Sequence, residues 1–403
     1  MLIEFKCKNV FSFKEETSFL MTSVKSFKEL TETNVIPTKK GFNLLKVAAV
    51  YGANGSGKSN FIAAMSVMNT IIYSSFSDSL KREGDKKSPN DFSFKLSTVT
   101  ESQSSMFEVS FLIEEVIHRY GFEIYNREIL KEWLYRKVDR EVFLFTREKQ
   151  QFTVNKESFP EGDKYKSEVN ENVLFLSHLA QYNQPASKHI LSWFNLLRTL
   201  SGIDEYDYER FTVKLLRDNL SFKSWAATAL KYLEISNIEA GDKDDEIITY
   251  HNKYNEHNLL VGAVAFDPYM ESHGTQKLIR LLGPVWLNLK YGGVLFIDEL
   301  DCKLHPNLTR KLLALFQQYN RRNAQFVFTG QDISLMDKDL LRRDQIWFVE
   351  KDQFGASKIY SLSEFSTKAV RNTSDFAKKY LDNQFGAADT LEITDKLISQ
   401  LYE

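Results

Sequence analysis

The sequence predicts a mixed α/β fold with an antiparallel β lobe and a helical insertion, and three observations support this. Two short apolar runs, "LLKVAAVYG" and "VLFID", have the composition of strands buried on both faces of a sheet. Between them, residues 91–155 contain several closely spaced strand-like runs. Residues 160–260 instead carry apolar side chains at helical spacing. We therefore expect a core α/β unit into which other lobes are inserted.

The start of the chain predicts strands, then a loop, then a helix. The opening "LIEFKCKNVFSF" alternates apolar and polar residues, which favours a β-hairpin or meander. "LLKVAAVYG" stops at a glycine, and "SNFIAAMSVMNTIIYSSF" follows with apolar residues at helical spacing. A glycine-rich loop is thus expected between a buried strand and a helix. Residues 81–90 are charged and rich in turn formers, which is typical of an exposed loop.

The remaining elements follow the same logic of apolar spacing. Antiparallel strands are predicted at "FSFKLS", "MFEVSFLI", "HRYGFEIY", "EWLYRK" and "EVFLFTRE". Helices are predicted at "VLFLSHLAQYN", "ASKHILSWFNLLRTL", "FTVKLLRDNLSFKSWAATALKYLEI", "TQKLIRLLGPVWLNLK" and "LTRKLLALFQQYN". Further buried strands are predicted at "AQFVFTGQD" and "DQIWFVEKD". The polar run "EAGDKDDEIITYHNKYNEHN" predicts a mobile segment within the helical insertion.

The glycine-rich loop carries the spacing G-x-x-x-x-G-K-[ST] through Gly52, Gly57, Lys58 and Ser59. Residues without a Cβ let the backbone bring its N–H groups close to phosphate oxygens, and the next helix points its positive end at them. Lys58 is expected to reach the β- and γ-phosphates of ATP, and the Ser59 hydroxyl to bind Mg²⁺. The alternative, a chance match, arises in on the order of one chain in a hundred of this length. The predicted phosphate contacts are Asn54, Gly55, Ser56, Gly57, Lys58, Ser59 and Asn60.

A second signal is the acidic end of "VLFIDELD". A buried strand that delivers a carboxylate to a phosphate loop is the Walker B arrangement, and Asp298 is predicted to hold Mg²⁺ directly or through water. Glu299 follows it and is placed to orient and deprotonate an attacking water. The alternative is a strand that ends in solvated acids. A pair of acids behind "VLFI", in a chain that already has the phosphate loop, favours the catalytic interpretation.

The order of these motifs resembles an ABC-type ATPase head of the SMC/RecF class. Within that class the chain resembles the AAA15/AAA21-type ATPases of bacterial defence systems, which include RloA, AbiLi-like proteins and the ATPase of the PARIS system. The resemblance covers nearly the whole chain. The stretches that carry it are "LIEFKCKNVFSFKEETSF", "LFLSHLAQYN", "ESHGTQKL", "VLFIDELDCKLHP" and "LRRDQIWFVEKDQFGASKIYSL".

The resemblance implies roles for residues 271–276 and for Asp301. "ESHGTQ" lies where the ABC signature motif would be, so Ser272 and Gly274 would contact the γ-phosphate of ATP bound by a second subunit. Two chains would then sandwich two ATP molecules around a two-fold axis. Asp301 resembles the D-loop aspartate that links the two sites. Without the resemblance, the same run predicts an N-capping turn before a helix. The capping role and the signature role are compatible.

One position departs from the family pattern. The strand "QFVFT" should end at a switch histidine, but Gln331 occupies that place. Glutamine can hydrogen-bond a γ-phosphate or a water but cannot take up a proton as histidine does. We therefore expect slow hydrolysis, with Glu299, Gln331 and Lys58 as the catalytic set and ATP acting largely as a dimer clamp. The Q-loop glutamine is not identified, and Gln103 is a poor candidate for it.

These motifs divide the chain into three predicted segments. Residues 1–155 form an N-terminal ATPase lobe with the phosphate loop and the β subdomain, residues 156–260 a helical insertion, and residues 261–403 a C-terminal ATPase lobe with the signature, acidic and switch residues. No Toprim-like acidic cluster follows residue 350. Any nuclease activity is therefore expected from a separate Toprim-type or RloB-like subunit, controlled by a homodimer or larger homo-oligomer of this chain.

Composition weighs on the choice of partner and compartment. A net charge of -2 and the lack of a dense basic run argue mildly against the main alternative, a RecF-like ATPase that binds DNA in repair. A third possibility is a nucleotide-dependent scaffold that never hydrolyses. The two cysteines lie far apart, and no leader or membrane-length apolar run is present, so a reduced, cytoplasmic protein is expected. His251 and His257, six apart without an acid cluster, favour a solvated loop over a metal site.

Overall fold

The structure is a computed structural model of the chain. It describes residues 1–79, 92–202, 206–243, 245–366 and 374–388, together with positions 394, 399 and 400. The exposed loop predicted at 81–90 lies outside the described residues.

The strands and helices of the described ranges are numbered here in chain order. The strands are β1 Leu2–Lys8, β2 Thr17–Leu20, β3 Val35–Ile36, β4 Leu44–Leu45, β5 Val47–Tyr51, β6 Ser105–Ile113, β7 Val116–Tyr125, β8 Glu128–Lys137, β9 Glu141–Glu148, β10 Gln151–Val154, β11 Leu197–Ser201, β12 Ile235–Ala240, β13 Ile247–Tyr254, β14 Leu260–Phe266, β15 Val294–Asp298, β16 Gln325–Thr329, β17 Ile346–Lys351 and β18 Ser357–Ser361. The helices are α1 Thr31–Asn34, α2 Lys58–Ser79, α3 Pro160–Tyr165, α4 Phe175–Gln181, α5 Pro185–Phe194, α6 Tyr206–Asp218, α7 Leu220–Leu230, α8 His273–Tyr291, α9 Pro306–Gln318 and α10 Phe376–Leu381.

The central element is a six-stranded sheet in the order β11-β15-β16-β5-β17-β18. Its first five strands are parallel and β18 is antiparallel to β17. The register pairs Val50 with Thr329 and Ile297 with Phe328, so the carboxyl ends of β5, β16 and β15 lie at one edge. The predicted mixed α/β fold is confirmed, and β16 separates the two strands that carry the phosphate loop and the acidic pair.

Period-two alternation in the buried strands divides the core into two layers. In β5, Ala48 and Val50 face one cluster, whereas Val47, Ala49 and Tyr51 face the other. The first cluster contains α2 and the β lobe, and the second contains α8 and α9. Both faces of the sheet are therefore covered, which explains why these strands read as continuous apolar runs.

The predicted antiparallel lobe is a seven-stranded sheet in the order β10-β9-β8-β7-β6-β1-β2. The opening hairpin β1–β2 joins it through pairing of β1 with β6. The strand predicted at "FSFKLS" is wrong, because that segment forms no strand. Phe92 and Phe94 are buried there. The Phe94 N–H donates to Asn9 Oδ1 at 3.0 Å, so a side chain takes the place of a strand partner.

The helical insertion predicted at 156–260 needs correction in its content. It contains α3–α7, but β11 joins the central sheet, and β12 and β13 form a separate three-stranded sheet with β14, which begins at Leu260, in the order β12-β13-β14. The segment predicted to be mobile therefore supplies β13 and part of β12. Ile238, Ile247 and Thr249 bury one face of this sheet, while all residues of β14 from Leu260 to Ala265 are exposed. The boundaries of the three predicted segments remain a prediction.

Within the described part of the chain, no helix is long and apolar enough to cross a membrane.

We expect acid to destabilise the fold through His118 on β7. Its side chain is buried and stacks on Phe111, with the ring centroids 5.5 Å apart. Burial lowers the pKa of the imidazole from its ordinary 6.5 to about 4. The unfolded chain therefore takes up a proton below pH ~6.5 that the folded chain refuses until about pH 4, and stability falls across this window. At pH ~5 the free energy of unfolding should be lower by about 2 kcal/mol from this group alone.

Denaturant unfolding at pH ~7.5 and at pH ~5 measures this contribution. His118→Phe should lose about 2 kcal/mol less than the parent chain between the two pH values. His257→Phe, at an exposed histidine, is the matched control and should behave like the parent. The same pH dependence in all three proteins would contradict the assignment.

Candidate functional site

The glycine-rich loop of residues 52–57, called the phosphate loop from here on, connects β5 to α2 and is shaped by two glycines. Gly57 has φ +114°, and a Cβ there would overlap the hydroxyls of Ser12 and Ser357. A Cβ on Gly52 would overlap the carbonyl oxygen of Val349. No side chain fits at either position, so the motif glycines are required by close approach of neighbouring chain as well as by the turn.

Lys58 begins α2 with its side chain buried. Its Nζ donates to the carbonyl oxygens of Gly52 at 2.7 Å and Ala53 at 3.1 Å, which holds the ammonium over the loop. Ser56 Oγ is buried and has no hydrogen-bond partner among the described residues, whereas Ser59 is exposed. A buried cation, an orphaned hydroxyl and a helix N-terminus beside a glycine turn are the groups that a triphosphate requires.

Three side chains outside the glycine motif brace the loop. Ser357 Oγ on β18 donates to the Ser56 carbonyl at 2.5 Å, and the Ser357 N–H donates to the Ser12 carbonyl at 2.7 Å. Asn60 Nδ2 donates to Ser12 Oγ at 2.9 Å. The sequence singled out Asn60 but missed Ser12 and Ser357. No local pattern marks them, because each reaches the loop only through the sheet.

The acidic edge lies at the end of β15. Asp298 Oδ1 accepts a hydrogen bond from Thr329 Oγ1 at 2.5 Å, and the same hydroxyl accepts from the Glu299 N–H at 2.8 Å. Thr329 is the last residue of β16 and therefore bridges the two acids. Its role was missed because a threonine at a strand end carries no signal by itself. Glu299 has the left-handed φ of +50°, which turns the chain sharply away from the strand.

We call residues 299–304 the acidic turn. Asp301 within it anchors the segment that follows β16, since its Oδ2 accepts from the Gln331 N–H at 2.6 Å and also from the Asp332 N–H. The Gly330 N–H donates to the Val50 carbonyl at 3.2 Å, which ties the same segment to the end of β5. The Gln331 side chain itself is exposed.

Tyr51, the last residue of β5, contacts the segment that follows β16. Its ring is buried and its hydroxyl donates to the Asp332 carbonyl at 3.4 Å. Burial raises the pKa of the phenol well above its usual range, and the carboxylates of Asp301 and Asp332 add to the shift. Tyr51 is therefore neutral near neutral pH and serves here as a hydrogen-bond donor.

The predicted signature residues lie at the start of α8. Ser272 is the N-cap, and its Oγ accepts from the Thr275 N–H at 3.1 Å, so the capping interpretation describes its contacts within this chain. Ser272 is nevertheless exposed, and Gly274 is half-buried. A Cβ on Gly274 would lie 2.8 Å from the Lys303 carbonyl oxygen, which places the first turn of α8 directly on the acidic turn.

The candidate residues thus fall into two groups. Residues 52–60, Asp298, Glu299 and Gln331 line the carboxyl edge of three adjacent parallel strands. Ser272 and Gly274 lie on α8, whose first turn contacts the acidic turn from outside. His251, expected in a solvated loop, lies instead on β13, where its Nε2 is 2.7 Å from Glu271 Oε1. Among the described residues, no cluster of three or more His, Cys, Asp or Glu could hold a metal.

A family model supplies the remaining observation. The model described as "AAA domain, putative AbiEii toxin, Type IV TA system" matches residues 47–337, well over half of the chain. The chain belongs to the AAA_21 family. The match runs from the first residue of β5 to beyond Gln331, so this AAA_21 member has its phosphate loop, acidic turn and Ser272 inside the matched range. The predicted resemblance to AAA21-type ATPases is confirmed, and the protein is an ATPase-type, nucleotide-binding chain.

Solved structures similar to this AAA_21 member include two SMC heads. The SMC head domain from Thermotoga maritima is 15% identical, with a TM-score of 0.43, and the alignment covers 89% of this chain and 98% of that one. An SmcHead bound to the C-winged helix domain of ScpA is 12% identical, with a TM-score of 0.35, over 89% of this chain and 97% of that one. No protein with curated annotation matches the chain.

Removal of the Ser357 hydroxyl should weaken nucleotide binding without unfolding the protein. The hydroxyl holds the Ser56 carbonyl, so Ser357→Ala should free the phosphate loop and raise the Kd for ATP about fivefold to tenfold. Ser361→Ala removes a buried hydroxyl from the same strand, where it accepts from the Ser363 N–H, and should leave the Kd unchanged. Calorimetric titration with ATP compares the two; equal affinities would show that Ser357 does not brace the loop.

Proposed function

We propose that this chain binds and slowly hydrolyses Mg²⁺–ATP, and that ATP clamps two copies into a dimer that controls a separate effector. The observation that carries the proposal is the alignment of the loop after β5, Thr329 at the end of β16 and the acids at the end of β15 along one sheet edge. Phosphate, metal and water then meet groups of suitable charge in one place. The AAA_21 family assignment supports the same class of activity.

Nucleotide binding falls to the loop and the start of α2. Lys58 would exchange its carbonyl partners for the β- and γ-phosphates, while the N–H groups of residues 54–60 and the orphaned Ser56 hydroxyl donate to the remaining oxygens. Ser59 and Asp298 would hold Mg²⁺, whose charge supplies neutralisation of the phosphates when it is bound. The Thr329 hydroxyl orients the Asp298 carboxylate for this role.

Hydrolysis falls to Glu299. Its backbone conformation directs it away from β15, and its carboxylate would orient the attacking water and accept a proton from it at an Oε atom. Gln331 lies on the segment anchored by Asp301, where its amide would hydrogen-bond the water or the γ-phosphate. Because an amide cannot take up a proton, Gln331 cannot serve as a second base beside Glu299. We therefore infer slow turnover.

Dimer formation would use the start of α8. The exposed Ser272 hydroxyl and the N-terminus of α8, whose axis carries a partial positive charge, would face the γ-phosphate bound by a second copy. An interface of this kind is isologous and closes as a C₂ dimer with two ATP molecules. The acidic turn lies next to Gly274, so it would sit beside this interface.

The cellular role proposed is defence against phage. The family description refers to a putative AbiEii toxin of a type IV toxin–antitoxin system, which supports this role. We propose that the chain acts in the cytoplasm as the ATPase of an abortive-infection system, with a Toprim-type or RloB-like nuclease as its effector. ATP-dependent, salt-sensitive binding of duplex DNA by the purified chain would favour a RecF-like repair role instead.

Loss of the Glu299 carboxylate should trap the ATP-bound dimer. Glu299→Gln keeps the shape of the side chain but removes the base, so phosphate release should fall by about 10²-fold or more while ATP binding persists. Native mass measurement with ATP should then show a longer-lived dimer than in the parent protein. Glu256→Gln, at an exposed carboxylate in the β13–β14 turn, is the control. Unchanged turnover and unchanged dimer lifetime in Glu299→Gln would overturn the assignment.

Two substitutions at Ser272 separate capping from contact with a partner's ATP. Asp and Asn both cap helices well, so Ser272→Asp and Ser272→Asn should fold equally. Only the aspartate sets a negative charge against the γ-phosphate of the second copy. We expect Ser272→Asp to bind ATP as a monomer and Ser272→Asn to dimerise, as resolved by light scattering with ATP. Dimers of equal stability in both variants would rule out the contact.

A further inference from the structure

Lys277 on α8 is a buried cation that bonds two backbone carbonyls of the acidic turn. Its side chain has no exposed surface, and its Nζ donates to the Glu299 carbonyl at 3.0 Å and to the Cys302 carbonyl at 2.7 Å. Removing an ammonium from water is costly unless hydrogen bonds replace the lost hydration. Both carbonyls belong to the acidic turn, so the charge is stabilised by the segment that follows the strand with Asp298.

The contacts of Lys277 fix the peptide group on the carboxyl side of Glu299. The Glu299 carbonyl also accepts from the Cys302 N–H at 3.2 Å, and the Glu299 N–H donates to Thr329 Oγ1 at 2.8 Å. The backbone of Glu299 is therefore held on both sides in its left-handed conformation. Since that conformation sets the direction of the Cα–Cβ bond, these contacts determine where the carboxylate can reach.

The same helix carries Ser272 at its N-cap. Gly274 lies against the Lys303 carbonyl, and Lys277 follows one turn later with its two bonds to the acidic turn. The first two turns of α8 therefore contact residues 299, 302 and 303. A displacement of the N-terminus of α8 would therefore strain the backbone of Glu299, because the buried Lys277 ammonium would have to stretch or break its two bonds to the acidic turn.

We propose that Lys277 is a positioning residue that holds Glu299 in its hydrolytic orientation and couples it to the N-terminus of α8. This inference rests on the proposed role of Glu299. Lys277 acts on Glu299 through the backbone of the acidic turn, by its bonds to the carbonyls of Glu299 and Cys302. Contact between Ser272 and a second copy would thus change the orientation of Glu299 in the same chain.

The test separates binding from turnover. Lys277→Met keeps the length and apolar stem of the side chain but removes the donors, and should bind ATP within about twofold of the parent while kcat falls about tenfold or more. Lys277→Gln retains an N–H donor, and its kcat should lie between the kcat of Lys277→Met and that of the parent. Lys290→Met, at an exposed lysine on the same helix, should change neither Kd nor kcat. If either Lys277→Met or Lys277→Gln folds and its kcat equals that of the parent, the proposal is overturned.

A double variant distinguishes positioning from general loss of structure. If Lys277 acts through Glu299, Lys277→Met combined with Glu299→Gln should hydrolyse ATP no more slowly than Glu299→Gln alone. Multiplied defects, or a Kd that worsens in step with a falling Tm, would assign Lys277 a merely structural role. A normal rate in Glu299→Gln itself would instead refute the proposed function, so the two failures are distinguishable.

Discussion

The site depends on one constraint of sheet order, the insertion of β16 between β5 and β15. Parallel strands that end at one edge bring their following loops together. With β16 in the middle, the Thr329 hydroxyl meets both Asp298 and the Glu299 N–H, and Gly330 meets Val50. The phosphate loop and the acids are thereby held two strand spacings apart, about 10 Å, with a polar strand end between them.

The sequence predicts those parts of the site whose residues are contiguous along the chain. The phosphate loop, the acidic pair and the core strands each occupy a short contiguous run, whose glycines, carboxylates and apolar residues act through local geometry. Thr329, Ser357 and Lys277 could not be found in this way. Each is an ordinary residue in its own segment, and it gains a role only from partners that the sheet brings in from far along the chain.

The errors in the fold prediction have a similar cause. β13 is half polar because one of its faces is exposed, so its residues resemble a loop when β12 and β14 are not known to flank it. The aromatic residues at 92–97 resemble a strand, but there the Phe94 N–H donates to Asn9 Oδ1 and the Phe92 ring packs in the core of the lobe. In both places tertiary contacts outweigh local propensity.

The position of β5 also has a consequence for how the chain folds during synthesis. β5 ends at residue 51, whereas its two neighbours, β16 and β17, begin at residues 325 and 346. Strands β6–β10 pair with their nearest neighbours in sequence and can form early, because little loop entropy opposes them. β5 must instead wait for most of the polypeptide to leave the ribosome, so nascent and truncated chains lack the sheet edge that carries the candidate site and expose an apolar strand.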